Sequence, residues 1–127
     1  MLSVKKQKKL NFGLLSLFVG IIFGLIHNSL SRGMIVGNYG VSFGLKGIFL
    51  IFLSVIFVFF LTFFSLKMEL WSLILISIGG WINLIDRIRF GYVRDYWWFG
   101  SVYNNIADWI IAIGVGLFLI KVLWKKK

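Results

Sequence analysis

GIFLIFLSVIFVFFLTFFSL, residues 47–66, is a run of twenty residues without a single charge, its only polar side chains being Ser54, Thr62 and Ser65. A bilayer core needs about 20 apolar residues of helix to cross it. Three further runs of similar character flank this one, at about residues 10–26, 70–88 and 102–120. In 127 residues, a hydrophobic content of 60% with 19% aromatics and a mean hydropathy of +0.95 is more apolar surface than a soluble core of this size can bury. Lipid obliges the backbone to satisfy its own polar groups, in helices or in a closed barrel, and the four runs lack the alternation of barrel strands. The expected fold is an all-α membrane protein, a four-transmembrane-helix bundle forming one integral membrane domain over residues 1–127.

Lysines precede the first run, as they do in a signal peptide, but no small-residue cleavage motif follows it and three more spans do, so it reads as a span. Cysteine is absent, which excludes disulfides and thiolate metal sites, and the absence of proline removes the usual cause of a helix kink.

The net charge of +10 is concentrated at the ends of the chain. Lys5, Lys6, Lys8 and Lys9 precede the first span, Lys121, Lys125, Lys126 and Lys127 close the last, and Lys67 lies in the short turn after the second. Four spans put these segments on one side, and the positive-inside rule makes that side the cytoplasm. The excess is a topology signal and a contact with anionic lipid headgroups, so no nucleic-acid partner is expected. Two longer segments, about residues 26–46 and 86–104, then lie across the membrane and hold most of the remaining polar chemistry.

Four carboxylates occur in the chain: Glu69, Asp86, Asp95 and Asp108. Glu69, beside Lys67, reads as a solvated turn residue. The three aspartates fall at the outer ends of the third and fourth spans and in the loop between them, where an ionisable group is costly and usually faces a bundle interior or a wet cavity. Neutralisation of Arg87, Arg89 and Arg94 is the plainer explanation, and for Asp86 a mainly structural role is expected. Asn83, Asp86 and Arg87 stand at i, i+3 and i+4 and are expected on one helix face, which Gly79 continues and opens to close approach. Asn105 and Asp108 share a face of the fourth span. A connecting loop of 12 to 15 residues allows the two helices to be antiparallel neighbours and allows Asp95 to meet Asp108.

Two carboxylates about 5 Å apart at an effective dielectric of about 20 repel by roughly 3 kcal/mol, so that one keeps a proton while the other ionises. Such a pair can activate water against a peptide carbonyl, the ionised acid taking a proton from water and the protonated acid donating to the carbonyl oxygen. Paired aspartates also carry protons or cations through transporters, and a small four-helix transporter is the alternative. It would be expected to spread polar residues along the bundle axis or to show an internal repeat.

The stretch GGWINLIDRIRFGYVRDYW (79–97), followed by NNIADWIIAIG (104–114), resembles the lipoprotein signal peptidases, or signal peptidase II. That family's pattern GGxxNxxDRxxxGxVxD is met by Gly79, Gly80, Asn83, Asp86, Arg87, Gly91, Val93 and Asp95. Its pattern FNxADxxxxxG is met by Asn105, Ala107, Asp108 and Gly114. A weaker echo of the family's NxGxAFG element lies in VGNYGVSFGL (36–45), at Asn38, Gly40, Phe43 and Gly44.

The resemblance implies an intramembrane aspartic endopeptidase that removes signal peptides from diacylglyceryl-modified bacterial prolipoproteins, with Asp95 and Asp108 as the dyad. Asn38, Gly40, Asn83, Arg87 and Asn105 would bind substrate, Asp86 would help to position Arg87 and its neighbours, and Gly79, Gly80, Val93 and Ala107 would give structural support. It implies no metal or organic cofactor, a monomer in contact with membrane lipids, sensitivity to the cyclic peptide globomycin, and residence in the bacterial cytoplasmic (inner) membrane with the site near the outer leaflet. The aromatics Tyr96, Trp97, Trp98 and Tyr103 read as an interfacial belt, with Gly100 a hinge candidate for a flap. Members usually carry an aspartate followed four residues later by lysine in the first span. Here that region offers His27 and Arg32, and a lone histidine there reads as an interfacial or hydrogen-bonded residue rather than a catalytic one. The segment from His27 to Asn38 is short for the family's long extracytoplasmic sheet element, so a short or diverged member is implied.

Overall fold

The computed structural model describes residues 1–39 and 47–126. Gly40, Phe43 and Gly44 of the expected glycine-rich element lie outside the described residues. Four long helices account for the architecture: α1 (Val4–Leu30), α2 (Gly47–Met68), α3 (Trp71–Phe90) and α4 (Ile106–Lys125). Each is long and apolar enough to cross a bilayer. The chain is a multi-pass membrane protein with a four-helix bundle.

Helix boundaries differ from the sequence expectation where polar residues continue a helix that hydropathy alone would end. α1 starts at Val4, capped by Ser3, whose Oγ accepts the Lys6 amide at 3.4 Å, and it carries the lysine cluster on its first turns. α4 begins at Ile106 rather than near 102, because Val102–Asn104 is a strand and Asn105 caps the helix. α3 ends where Gly91 adopts the left-handed conformation at φ 79° and donates its amide to Arg87 O, a closure that glycine makes without Cβ strain.

The helical bundle carries two small antiparallel ribbons at one end. β1 (Val36–Asn38) pairs with β2 (Val93–Asp95), with Val36 opposite Asp95 and Asn38 opposite Val93. β3 (Trp97–Phe99) pairs with β4 (Val102–Asn104) across a turn at Gly100, φ 65°. The short first loop thus supplies one strand of a two-stranded sheet, enough to lay Asn38 opposite Val93, the first residue of β2.

α3 is the central helix, with half of its span buried against 11 to 17% for the other three. Ile74, Ile78, Ile82 and Ala107 form the core, with Phe12, Val19, Phe23 and Leu66 packed on it. Two glycines permit the α3–α4 contact. A Cβ on Gly79 would stand 2.6 Å from Ala107 O, and one on Gly114 would stand 2.7 Å from Ser72 O. Between α2 and α3, Trp81 Nε1 donates to Thr62 Oγ1 at 2.9 Å and Ser65 meets Ser77 at 3.5 Å, polar contacts that hold helices together in lipid, where apolar contact alone does not discriminate. The phenylalanines of α2 face outward, Phe52 and Phe60 being well exposed on the bundle, where lipid would cover them.

The ends of the bundle are distinct. Phe12 meets Trp71 at 5.1 Å between ring centroids near the start of α1 and α3, whereas His27 meets Asp86 near their ends. The helices α1 and α3 therefore run in the same sense. The lysine-bearing termini and the α2–α3 turn share one end, and the two ribbons and all three aspartates share the other.

Candidate active site

Asp108 sits in an apolar helix for a local reason. Asn105 at the N-cap accepts the Asp108 amide on Oδ1 at 3.2 Å, while Asp108 Oδ2 accepts the Asn105 amide at 3.1 Å, a reciprocal capping box that satisfies two otherwise orphaned amides. This arrangement uses one carboxylate oxygen. The other, Oδ1, accepts from Asn83 Nδ2 of α3 at 3.2 Å.

Asn105 also reaches across to β2. Its Nδ2 donates to Asp95 Oδ1 at 2.8 Å and to Asn83 Oδ1 at 3.2 Å, so a single fully buried amide links the loop aspartate, the α3 asparagine and the helix aspartate. Asn38 Nδ2, delivered by β1, donates to Asp95 Oδ2 at 3.3 Å. Asp95 is 2% exposed. Burial pushes its carboxyl up from the ordinary value of 3.8, the charge of Asp108 adds to that, and the bonds from Asn105 and Asn38 work against it.

Of the residues singled out from sequence, Asn38, Asn83, Asp95, Asn105 and Asp108 are brought into one hydrogen-bonded group. Arg87 lies in the electrostatic field of Asp108, Asp95 and Asp86, and its buried Nε has no hydrogen-bond partner among the described residues. Gly79 and Ala107 lie at the α3–α4 crossing, Gly80 faces Val58 of α2, and Val93 is buried on β2.

Asn83 and Asp86 do not point at the same neighbour, although they are three residues apart on one helix. Asn83 faces α4, and Asp86 turns toward α1 and β2. Asp86, 1% exposed, accepts from the Arg94 side chain at 2.8 to 3.2 Å, from the Arg94 amide at 2.9 Å and from His27 Nε2 at 2.9 Å. Its hydrogen bonds go to Arg94 and His27 rather than to Arg87. The sixty degrees that separate i and i+3 on a helix suffice to divide them between two partners.

Tyr96 departs from the interfacial belt. Its hydroxyl accepts the Ile106 amide at 3.0 Å and meets His27 Nδ1 at 3.1 Å, and burial pushes the phenol above its ordinary value, so it remains a donor. Trp97, Trp98 and Tyr103 are exposed, as a belt requires. The β3–β4 ribbon roofs a hollow of about 490 Å³ lined by Tyr96, Trp97, Asn104, Ile106 and Trp109, residues adjacent in sequence to those that hold both aspartates. The Asp86–Arg94 pair is the charge neutralisation the sequence suggests, made with Arg94 rather than the adjacent Arg87, whereas the Tyr96 link has only a slight signal in the sequence, because Tyr96 flanks Asp95 but nothing local pairs it with α1.

The profile of the family described as "Signal peptidase (SPase) II" matches residues 6–124. The chain belongs to the signal peptidase II family. A lipoprotein signal peptidase from Halothermothrix orenii is 38% identical over 102 residues, covering 72% of this chain and 69% of that protein. Shorter matches to lipoprotein signal peptidases from Streptococcus thermophilus (44% identical over 59 residues) and Clostridioides difficile (41% over 56) cover 44% and 42% of this chain and 38% of each relative. A solved bacterial membrane enzyme superimposes with a TM-score of 0.71 over 89% of this chain and 90% of its own, at 22% identity, a likeness of fold.

Proposed function

We propose that this signal peptidase II family member is an intramembrane aspartic endopeptidase that cuts signal peptides from diacylglyceryl-modified prolipoproteins, using Asp95 and Asp108 to activate water. The observation that carries this reading is the junction at Asn105, which bonds both carboxylates at once. It ties an acid on β2 to an acid on α4 through one side-chain amide and one backbone amide of the same residue.

In the proposed reaction the two acids share one proton. Burial, which raises the Asp95 carboxyl, favours Asp95 as its holder. Asp108 takes a proton from water as the water oxygen attacks the scissile carbonyl, and Asp95 gives its proton to the carbonyl oxygen, forming a neutral gem-diol. Collapse returns a gem-diol proton to Asp95 while Asp108 protonates the leaving amine, so both acids end as they began. Arg87 and the asparagines Asn38, Asn83 and Asn105 are placed to hold substrate backbone, with Asn105 also fixing the dyad.

Charge bias supports an outer-leaflet position for this end of the bundle, since the lysine-bearing termini lie at the other. An apolar groove of about 510 Å³ between α1 and α3, lined by Gly20, Gly24, Ile78, Trp81 and Ile82, reaches Asn28 and Ile85 at the aspartate end and offers a lipid-bearing substrate a lateral approach. Globomycin would compete at the same place, and the bundle is expected to work as a monomer.

The test is incubation of the purified full chain with a diacylglyceryl-modified prolipoprotein peptide. Cleavage before the modified cysteine, lost in both Asp95→Asn and Asp108→Asn, supports the reading. Undiminished cleavage in either variant removes that aspartate from the chemistry.

A further inference from the structure

We infer that His27 is a positioning residue for the aspartate site, acting through the hydroxyl of Tyr96. This rests on the peptidase reading above, and it assigns work to two residues that the family motifs do not include.

Ser16 and His27 are the two buried residues of the 27-residue helix α1. His27 is 2% exposed, and a polar ring so placed is costly unless both nitrogens are satisfied. Both are. With a neutral imidazole the bonds run in one direction: the Ile106 amide donates to Tyr96 Oη at 3.0 Å, the Tyr96 hydroxyl donates to His27 Nδ1 at 3.1 Å, and His27 Nε2–H donates to Asp86 Oδ2 at 2.9 Å. The tyrosine has one proton, and an acceptor at Nδ1 fixes where it points.

The ends of this chain of bonds give it its effect. Tyr96 directly follows Asp95, and Ile106 directly follows Asn105. The bond from the Ile106 amide to the Tyr96 hydroxyl therefore runs beside the bond from Asn105 to Asp95, and the Tyr96 amide donates to Asn104 O at 3.1 Å as a third link between the same two segments. The phenol occupies an amide of the first turn of α4 that no carbonyl of the helix can reach. His27 anchors that phenol to Asp86, whose second partner is Arg94 on β2. The first helix thereby fixes the distance between the strand that carries Asp95 and the helix that carries Asp108, without itself bonding either acid. A misplacement of reacting groups by about 1 Å can cost on the order of a hundredfold in rate, so a partly loosened strut is worth a measurable fraction of that.

The experiment compares the full chain with Tyr96→Phe, His27→Leu, His27→Gln and the Tyr96→Phe/His27→Leu double variant, reading kcat and KM on the lipid-modified peptide, Tm, and hydrogen exchange at the Ile106 amide. Tyr96→Phe removes one hydroxyl, and His27→Leu leaves Asp86 with Arg94, so both variants keep the bundle. We expect each to lower kcat on the order of tenfold with KM within about twofold. The double variant should be no slower than the worse single one, because both cut the same strut. His27→Gln, which offers a donor and an acceptor, should recover part of the loss. Exchange at Ile106 should quicken in the Phe and Leu variants. Unchanged kcat with a lowered Tm would reduce the pair to bundle cement, and additive losses, or Ile106 protection untouched by His27→Leu, would overturn the proposal. Failure of the unaltered chain to cleave would instead sink the peptidase reading, and the Ile106 exchange would still decide the strut.

Discussion

Asn105 Nδ2 lies 2.8 Å from Asp95 Oδ1, and the same residue caps α4 for Asp108 through its backbone amide and side-chain oxygen. One asparagine thus serves as helix cap and as spacer between two acids. Substituting Asn105→Ala removes both roles. Loss of an N-cap costs about 1 kcal/mol of stability, whereas loss of the spacer should lower kcat on the order of a hundredfold. Tm in detergent and single-turnover cleavage separate the two effects, and a fall in Tm with intact cleavage would leave the cap as the only role.

Asp95 yields a pH prediction. Burial, then the Asp108 charge, raise its carboxyl above 3.8, so the folded chain holds that proton more tightly than the unfolded chain does. Its contribution to stability is then fully present below 3.8 and is lost as pH rises through the folded value. Asp95→Asn, which mimics the protonated acid, should raise Tm at pH 7 while abolishing cleavage, and the Tm difference should close as pH falls toward 3.8. A Tm lower than that of the unaltered chain at pH 7 would contradict this.

The α3–α4 crossing predicts a steep glycine dependence. A Cβ at Gly79 would stand 2.5 Å from Ile111 Cγ1 and 2.6 Å from Ala107 O, the latter on the first turn of α4 beside Asp108. Gly79→Ala should cost about 1 to 3 kcal/mol and reduce cleavage, because helix backbone has to retreat. Gly13→Ala, where nothing lies within 4 Å of the added carbon, should lower neither and serves as the control.

The buried Asp86 and the partly exposed Arg94 form an ion pair at this end of the bundle, with the guanidinium also donating to Asn28 Oδ1 at 2.7 Å and lying 4.5 Å from the Phe90 ring centroid. Removing Arg94 takes from a buried carboxylate its only forked partner among the described residues. Arg94→Leu leaves Asp86 with His27 alone and should destabilise by about 1 to 3 kcal/mol, and Arg94→Lys, which keeps charge but loses the forked contact, by less. Thermal unfolding of the purified variants measures the order.

Much of the architecture could be read from the chain directly. Residues 47–66 and the three similar runs demand spanning helices because lipid offers the backbone no partner, and the lysine clusters separate the two ends of the bundle. Gly79, Asn83, Asn105 and Asp108 were also legible, since a helix turns spacings of three and four into shared faces. Asn105 before Asp108 is itself a capping pattern that depends on three residues of local chain. What sequence could not settle was which neighbour each polar face meets. Asn83 and Asp86 look like partners at i and i+3, yet one bonds α4 and the other bonds α1 and β2, because the crossing geometry of three helices decides where a carboxylate finds its donors. His27 and Tyr96 are 69 residues apart, and their meeting depends on α1 lying against the end of α3, a packing choice made by the whole bundle.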